Sequence, residues 1–536
     1  MSGSTSVPAS PKNPNLLSDH QLLHYLTAGY VVFEDAELGT SFHERMFQAA
    51  CLTYGLARGA AAIDQAPHIR VIADNLRSRI PEVDHLLASP TVNGAIESVL
   101  GKGWQLYPHD FIHESSPNDQ SFHQDGNLPW NDRGHYRSHR PDWAMLFYYP
   151  QTTDISAGPT EVLPGTQYWT NDYELPNDKW HRGDPMGRLV PQIDNQVASI
   201  ADRDEYLQKV ADSWGVANLE RRKLTVPCGG LVLASYDLAH RGTRTSADFS
   251  SRRFMYKFYL YRATAPSKRL QRQVDIPQTF TSNRYLEPIV EKNWYWLQGE
   301  SGLPDKDVLS VSSDELISTS TEPERVRIAY QLGRSTNRSR ERHSELAALL
   351  QHDDEAVRRA AGYAFGLVEN VEPALFTNLL ADDRAPVRRA TVLAMREAMC
   401  CTKDTILWLY ECLENDQDDL VRSNVAYTLG IFARAQPELF ASHERLIGRL
   451  DHAVEPDNTN NGGMMRSTVR ENVALALTMM QLNNSEAEQV LHYTLREHDR
   501  YAKSLLLIAI QRSIRGITEP WIADLVGNLV KSRFVT

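Results

Sequence analysis

Residues 229–242 read GGLVLASYDLAHRG: a glycine pair that turns the chain, an apolar run with the length of a strand, and His240 at its far end. A second stretch, Phe122-His123-Gln124-Asp125-Gly126, sets a histidine and a carboxylate two residues apart. In extended chain, positions i and i+2 face the same side, so His123 and Asp125 can converge on one ion. Two imidazoles and one carboxylate are the donor set of the facial triad that holds non-heme Fe(II), and His240 is the candidate for the third place. The spacing alone is weak evidence, because His352-x-Asp354 repeats it in a polar turn where both groups read as surface.

Outward from these two stretches, short runs rich in aromatic and β-branched residues recur at Tyr30–Phe33, Trp104–His113, Trp143–Tyr149 and Phe254–Tyr261, separated by Gly, Pro and Asp. That rhythm predicts an antiparallel all-β core. Leu17, Leu22, Leu23 and Leu26 predict a preceding helix capped by Ser18 or Asp19. Thr170–Arg222 is polar, breaks the rhythm and reads as an insertion or lid. The first 16 residues, rich in Ser and Pro without an apolar segment, read as a disordered tail and not a secretory leader. No run approaches the roughly 18 apolar residues of a membrane span. The net charge of −12 disfavours nucleic acid and anionic membranes as partners. Five scattered cysteines predict no disulfide framework and a cytoplasmic, reducing setting.

Past about Ala263 the grammar changes. Val326-Arg327, Val357-Arg358, Val387-Arg388, Val421-Arg422 and Val469-Arg470 each open an Ala-rich stretch, at steps of 31, 30, 34 and 48 residues. Val357, Ala360, Ala361, Ala364 and Val368 fall on one helical face. Such a face can be buried only by the next unit, and its small residues let neighbouring helices approach closely. A sixth, degenerate unit is expected near Tyr501. The pattern resembles short HEAT-like repeats of the phycobilisome-lyase type and predicts an all-α solenoid over 322–536, after a Ser/Thr-rich linker at 303–321.

Four motifs in order, namely the Leu17–Phe33 opening, His123-x-Asp125, Gly158-Pro159 through Pro164-Gly165-Thr166, and His240 followed by Arg252, resemble the phytanoyl-CoA dioxygenase family of Fe(II)/2-oxoglutarate oxygenases over about residues 17–263. The resemblance implies a double-stranded β-helix (jelly-roll, cupin-like) with flanking helices over 17–302. It also implies His123, Asp125 and His240 as the catalytic metal site, with Fe(II), 2-oxoglutarate and O2. Such an enzyme oxidises a small organic substrate, carrier-linked or a natural product, and releases succinate and CO2; hydroxylation, desaturation and ring formation all stay open. The chain departs from the family pattern at Phe122, where Trp is usual, and at Arg244-Thr245-Ser246, where Asn-x-Ser is common. It also departs in the long interval from His123 to His240 and in the twelve-residue step to Arg252.

The cosubstrate's far carboxylate calls for a guanidinium, which binds it through two parallel hydrogen bonds. Arg252 and Arg253 both qualify. Arg252, Phe254, Tyr256 and Phe258 share one strand face and Arg253, Met255, Lys257 and Tyr259 the other. Reading the first as interior selects Arg252. By position, Trp143, Ser246 and Gln105 are further candidates for the cosubstrate pocket. His109 is expected to fill a structural role, and His135 and His139 are expected in loops.

Two other classes compete. In one, the solenoid is a scaffold for a protein partner and the oxygenase half is inactive; the intact His-Asp-His-Arg set argues against it. In the other, a di-iron centre sits among helical repeats, as in deoxyhypusine hydroxylase; His443-Glu444 is too little for two metals. Asp125, where halogenases carry a small residue, disfavours halogenation. The linker predicts two units that fold independently, so that a chain ending near Pro304 keeps its iron site.

Overall fold

The computed structural model describes residues 15–59, 76–120, 122–125, 137–170, 220–266, 285–300, 311–336, 340–452, 468–497 and 499–513. The bulk of the expected insertion and most of the expected N-terminal tail lie outside them. Helix α1 (Asp19–Ala28) starts in a capping box, in which Ser18 accepts from the Gln21 amide and the Gln21 side chain accepts from the Ser18 amide. It stops at Gly29, whose φ of 88° only glycine adopts without strain. The chain then enters strand β1 (Tyr30–Phe33).

Among the described residues seven further strands follow: β2 (Gln105–Glu114), β3 (Trp143–Tyr148), β4 (Thr160–Val162), β5 (Arg222–Leu224), β6 (Leu231–Ser235), β7 (His240–Gly242) and β8 (Phe254–Tyr261). All pair antiparallel, in a five-stranded sheet of order β1-β6-β3-β8-β2 and a three-stranded sheet of order β5-β4-β7. The Tyr149 hydroxyl, 2.8 Å from Thr160 Oγ1, and the rings of Phe147 and His240, 5.7 Å apart, join the two sheets. Every residue of β8 is buried. Its Phe254 and Tyr256 pack under helix α2 (Thr40–Gly59), with the Phe254 and Phe47 rings 5.4 Å apart and the Tyr256 hydroxyl donating to Met46 O at 2.6 Å. The large sheet is therefore covered on both sides, which removes the contrast between dry and wet faces on which the choice of Arg252 relies.

Beyond α3 (Glu287–Leu297), six helices pack successively: α4 (Glu322–Thr336), α5 (Glu355–Ala364), α6 (Ala385–Glu397), α7 (Asp419–Ala435), α8 (Thr468–Thr478) and α9 (Arg500–Ser513). The repeated valines are each buried in their own helix. In two of these helices the arginine beside the valine reaches back to the acidic turn before it. Arg358 donates to His352 O and Asp353 O at 2.6 and 2.8 Å, and Arg388 to Asp382 O and Asp383 O at 2.8 and 3.1 Å. Turn acids cap helices, Asp354 accepting from the Ala356 amide and Asp418 from the Val421 amide. The motif thus joins a core anchor to a turn lock. Close helix approach rests on glycine: a Cβ at Gly333 would lie 2.0 Å from Ala364 O. No helix among the described residues is long and apolar enough to cross a membrane.

The boundary between the halves differs from the expectation. The expected linker contains a capped helix, Ser313–Ser318, whose Leu316 is buried. Charged groups from both halves share one interior. Glu397 accepts from Lys292 at 2.9 Å and from Ser138 at 3.3 Å. Arg140 donates to the backbone carbonyls of Arg396, at 3.0 Å, and Glu397. Asp142 meets Arg434 and Arg262. His139 lies in a loop as expected, but it is buried, stacked on Tyr363 at 3.8 Å and bonded to the Tyr330 hydroxyl at 2.9 Å. Burial works to raise the Glu397 pKa, but Lys292 and Arg140 outweigh it and hold the carboxyl well below its usual range.

Three outcomes follow. Glu397→Ala leaves Lys292 and Arg140 buried without this carboxylate and should cost about 3–5 kcal/mol in denaturant unfolding. Glu414→Ala, which breaks the more exposed pair with Arg445 (2.8 Å), should cost about 1 kcal/mol or less. A chain ending near Pro304 should expose the face that meets the helices and elute from a sizing column as aggregate; a monodisperse, cooperatively melting fragment would restore the two-unit picture.

Candidate metal centre

The segment Phe122–Asp125 and strand β7 meet through an isolated antiparallel bridge. His123 N donates to His240 O at 3.0 Å and His240 N to His123 O at 2.9 Å. This brings the two imidazoles side by side, with ring centroids 4.5 Å apart. Asp125 is directed to the same point, and one ligand atom from each of His123, Asp125 and His240 lies within 4.8 Å of the others. His123 Nε2 is 3.7 Å from Asp125 Oδ1, and His240 Nε2 is 3.8 Å from Oδ2. The 2.9 Å contact of His240 Nδ1 with Leu238 O makes Nδ1 the donor, which leaves the Nε2 lone pair toward the centre.

The residue between the ligands anchors them. Gln124 Nε2 faces the opposite way and donates to Asp237 O at 2.8 Å and to Thr166 O and Trp169 O at 3.2 Å. Thr166, from the Pro164-Gly165-Thr166 loop, accepts from the Ala239 amide at 3.1 Å, while Leu163 N donates to Ala239 O at 2.9 Å. That loop therefore holds the turn into His240 and makes no contact with the centre. Arg137 donates to Asp125 O at 2.9 Å and pairs with Asp237. Phe122, in the place where Trp was expected, is buried beneath the Arg241 guanidinium, 4.4 Å from its ring.

The inner face of the large sheet is the one that carries Lys257. Asp125 Oδ2 accepts from Lys257 Nζ at 2.6 Å and from the Tyr259 hydroxyl at 3.0 Å, and Nζ is also 3.0 Å from His240 Nε2. Phe147 and Phe111 stand directly opposite Lys257 on the neighbouring strands, and His113 stands opposite Met255. Burial favours neutral Asp125, yet Lys257 and the two histidines prevail and hold its pKa below the usual carboxylate range. Burial and then the Lys257 charge lower His240, and push His113 down to about 3. Burial also lowers the Lys257 ammonium, with Asp125 opposing.

The face assignment behind Arg252 is corrected accordingly. Arg252 Nε donates to Glu114 at 2.6 Å, at the rim and on the other side of the strand. Arg253 is buried on the Lys257 face, donates to Gly158 O, lies 5.5 Å from the Tyr149 ring, and its Nε has no hydrogen-bond partner among the described residues. The other positional candidates are not brought to the centre. Trp143 is stacked on Tyr261 at 5.0 Å and donates to the Tyr427 hydroxyl of α7 at 3.0 Å. Gln105 turns back on Gly103 O at 2.9 Å, and Ser246 is an exposed turn residue. His109, placed structurally from sequence, stacks on Tyr259 at 5.3 Å and bonds Tyr501 of α9 at 2.8 Å. His135 lies outside the described residues. Lys257, Tyr259 and Gln124 were not singled out from sequence, although Lys257 is the one charged residue in FMYKFYLY, itself a signal.

The donor set suits a divalent transition metal: two imidazoles, of which His240 has its outer nitrogen engaged, and a carboxylate fixed by further hydrogen bonds. The ammonium that these donors gather shows that the spot favours positive charge. No family model matches the chain, and no curated protein matches it significantly. Solved structures with some likeness include EctD from S. alaskensis with 2-oxoglutarate and 5-hydroxyectoine, at 15% identity over 48% of this chain and 80% of that one, with a TM-score of 0.33. HygX from Streptomyces hygroscopicus with nickel and 2-oxoglutarate is 14% identical over 46% and 87%, with a TM-score of 0.30. The non-heme alpha-ketoglutarate-dependent carbocyclase SnoK from nogalamycin biosynthesis is 14% identical over 46% and 85%, with a TM-score of 0.30.

Asp125→Ala should abolish Mn(II) binding in calorimetric titration. It should also destabilise the protein by about 3–5 kcal/mol, because Lys257 then remains buried without its carboxylate. Adding Lys257→Met to that variant should recover much of the stability and none of the metal binding.

Proposed function

We propose that the chain is an Fe(II)- and 2-oxoglutarate-dependent oxygenase acting on a small organic molecule. One observation carries this reading: His123, Asp125 and His240 converge from separate stretches of chain with their ligand atoms mutually within 4.8 Å. Fe(II) with 2-oxoglutarate and O2 supplies oxidation of a C–H bond coupled to decarboxylation of the cosubstrate to succinate. The protein's own contribution is orientation. Leu238 O fixes the His240 tautomer, and Tyr259 holds one oxygen of Asp125. Arg253, buried and with no partner on Nε among the described residues, receives the far carboxylate of the cosubstrate in place of Arg252.

The helical half takes part in this reading as a wall. Tyr261 and Trp143 continue the inner face of the large sheet beyond the centre, and α7 and α8 meet them through Tyr427 and Thr478. That closure at one end of the sheet's inner face favours a substrate small enough to be enclosed, with any protein partner meeting the outer side of the helices.

A specific observation favours a second reading. The Lys257 ammonium already supplies positive charge to the donors, as it would in a binding protein that takes no metal.

Succinate release from 2-oxoglutarate by the full-length protein, dependent on added Fe(II) and screened across small substrates, tests the first reading. A folded protein that neither binds Fe(II) or Mn(II) nor releases succinate would favour the second. Arg253→Ala should raise the 2-oxoglutarate requirement by about two orders of magnitude or more, as expected for a lost charged partner in a buried site. Arg252→Ala should change it less than about threefold, and the opposite ranking would return the role to Arg252.

A further inference from the structure

Lys257 occupies an unusual place for a lysine. It lies in the middle of β8, is 2% exposed, and Asp125 is its one carboxylate partner among the described residues. Around its nitrogen stand the rings of Tyr259, Phe147 and Phe111, with centroids 5.2, 5.4 and 5.8 Å away. Aromatic faces favour a cation without bonding it in one direction, so the ammonium is held in a general enclosure and fixed by two contacts. Those contacts are Asp125 Oδ2 at 2.6 Å and His240 Nε2 at 3.0 Å.

The second contact decides the matter. His240 Nδ1 is committed to Leu238 O, so Nε2 offers one lone pair, and that lone pair is the donor on which a metal depends. A lone pair pointing at an ammonium hydrogen is not available to a metal ion. Two cations sharing one carboxylate in a buried site also repel each other strongly.

Resting on the oxygenase reading above, we propose that Lys257 is an internal cation that fills the charge of the metal site when no metal is bound and must leave His240 for the metal to enter. The aromatic enclosure and Asp125 Oδ2 retain the ammonium after it moves, while Asp125 Oδ1, 3.7 Å from His123 Nε2, stays turned to the centre. The arrangement keeps a buried carboxylate compensated in the metal-free protein and holds the ligands together, at the expense of metal affinity. It makes the site one that loads and releases its ion readily.

The test titrates Mn(II), with no cosubstrate, into metal-free full-length wild type and the Lys257→Met and Lys257→Gln variants, by calorimetry and by the loss of the free Mn(II) electron paramagnetic resonance signal. Both variants should bind at least tenfold more tightly than wild type. The melting temperature of their metal-free forms should fall, and the rise on adding Mn(II) should exceed that of wild type. Lys257→Gln covers the case in which Lys257→Met does not fold, because glutamine keeps a hydrogen-bond donor in the enclosure. Wild type that binds Mn(II) while the folded variants bind equally or more weakly would overturn the role of Lys257 and leave the metal site standing. Absence of binding in all three proteins would overturn the metal reading, and this proposal with it.

Discussion

A carboxylate placed between two β-sheets must be met by positive charge, and the need of Asp125 for such charge organises the centre of this molecule. Desolvation favours its neutral form. Lys257 from β8, and His123 and His240 from the bridged segments beside it, reverse that balance. Gln124 and Arg137 then fix the backbone on either side, so the carboxylate cannot turn away from the groups that neutralise it. Metal and ammonium are two solutions to one electrostatic problem. Proximity of the lysine to two ligand atoms is what makes them rivals rather than neighbours.

The same requirement recurs where the β and helical halves meet. Glu397 belongs to α6, while Lys292 and Arg140, which compensate it, lie in α3 and just before β3. Asp142 from the β half is met by Arg434 from α7. Buried ion pairs of this kind contribute little net stability when whole, yet are destructive when halved. They act as a registration device: the helices can cover the sheet in one position only, and separation leaves charges stranded on both surfaces. A path of contacts then runs from that covering layer to the centre. Tyr501 of α9 bonds His109, His109 stacks on Tyr259, and Tyr259 bonds Asp125. The helical array is thus two residues from Asp125, and its packing bears on how firmly that carboxylate is held.

Features governed by local spacing were legible in the sequence. The i, i+2 relation of His123 and Asp125, the turn and strand leading to His240, the capping of α1 by Ser18, and the valine anchors of successive helices all depend on backbone periodicity, which sequence carries directly. Features governed by what covers a surface were not. Arg252 was preferred because Phe254, Tyr256 and Phe258 look like an interior, and they are one, but the interior lies between the sheet and α2. Trp143 reads equally well as a pocket aromatic or a core residue until Tyr427 of α7 is brought against it. The stretch at 303–321 has the composition of a linker, yet a hydrogen-bonded cap and one buried leucine make a packed helix of part of it.

By itself, the sequence determined which residues could form a metal site, that the core around it is antiparallel β, and that a repeating helical array follows. These depend on intervals along the chain. Only the tertiary structure decided which face of β8 is the inner one, that Lys257 and Tyr259 share Asp125 with any metal, and that the two halves close over a common charged interior. Each of these turns on which surfaces meet across hundreds of residues, and the energy of a buried charge depends on its neighbours in space rather than in sequence.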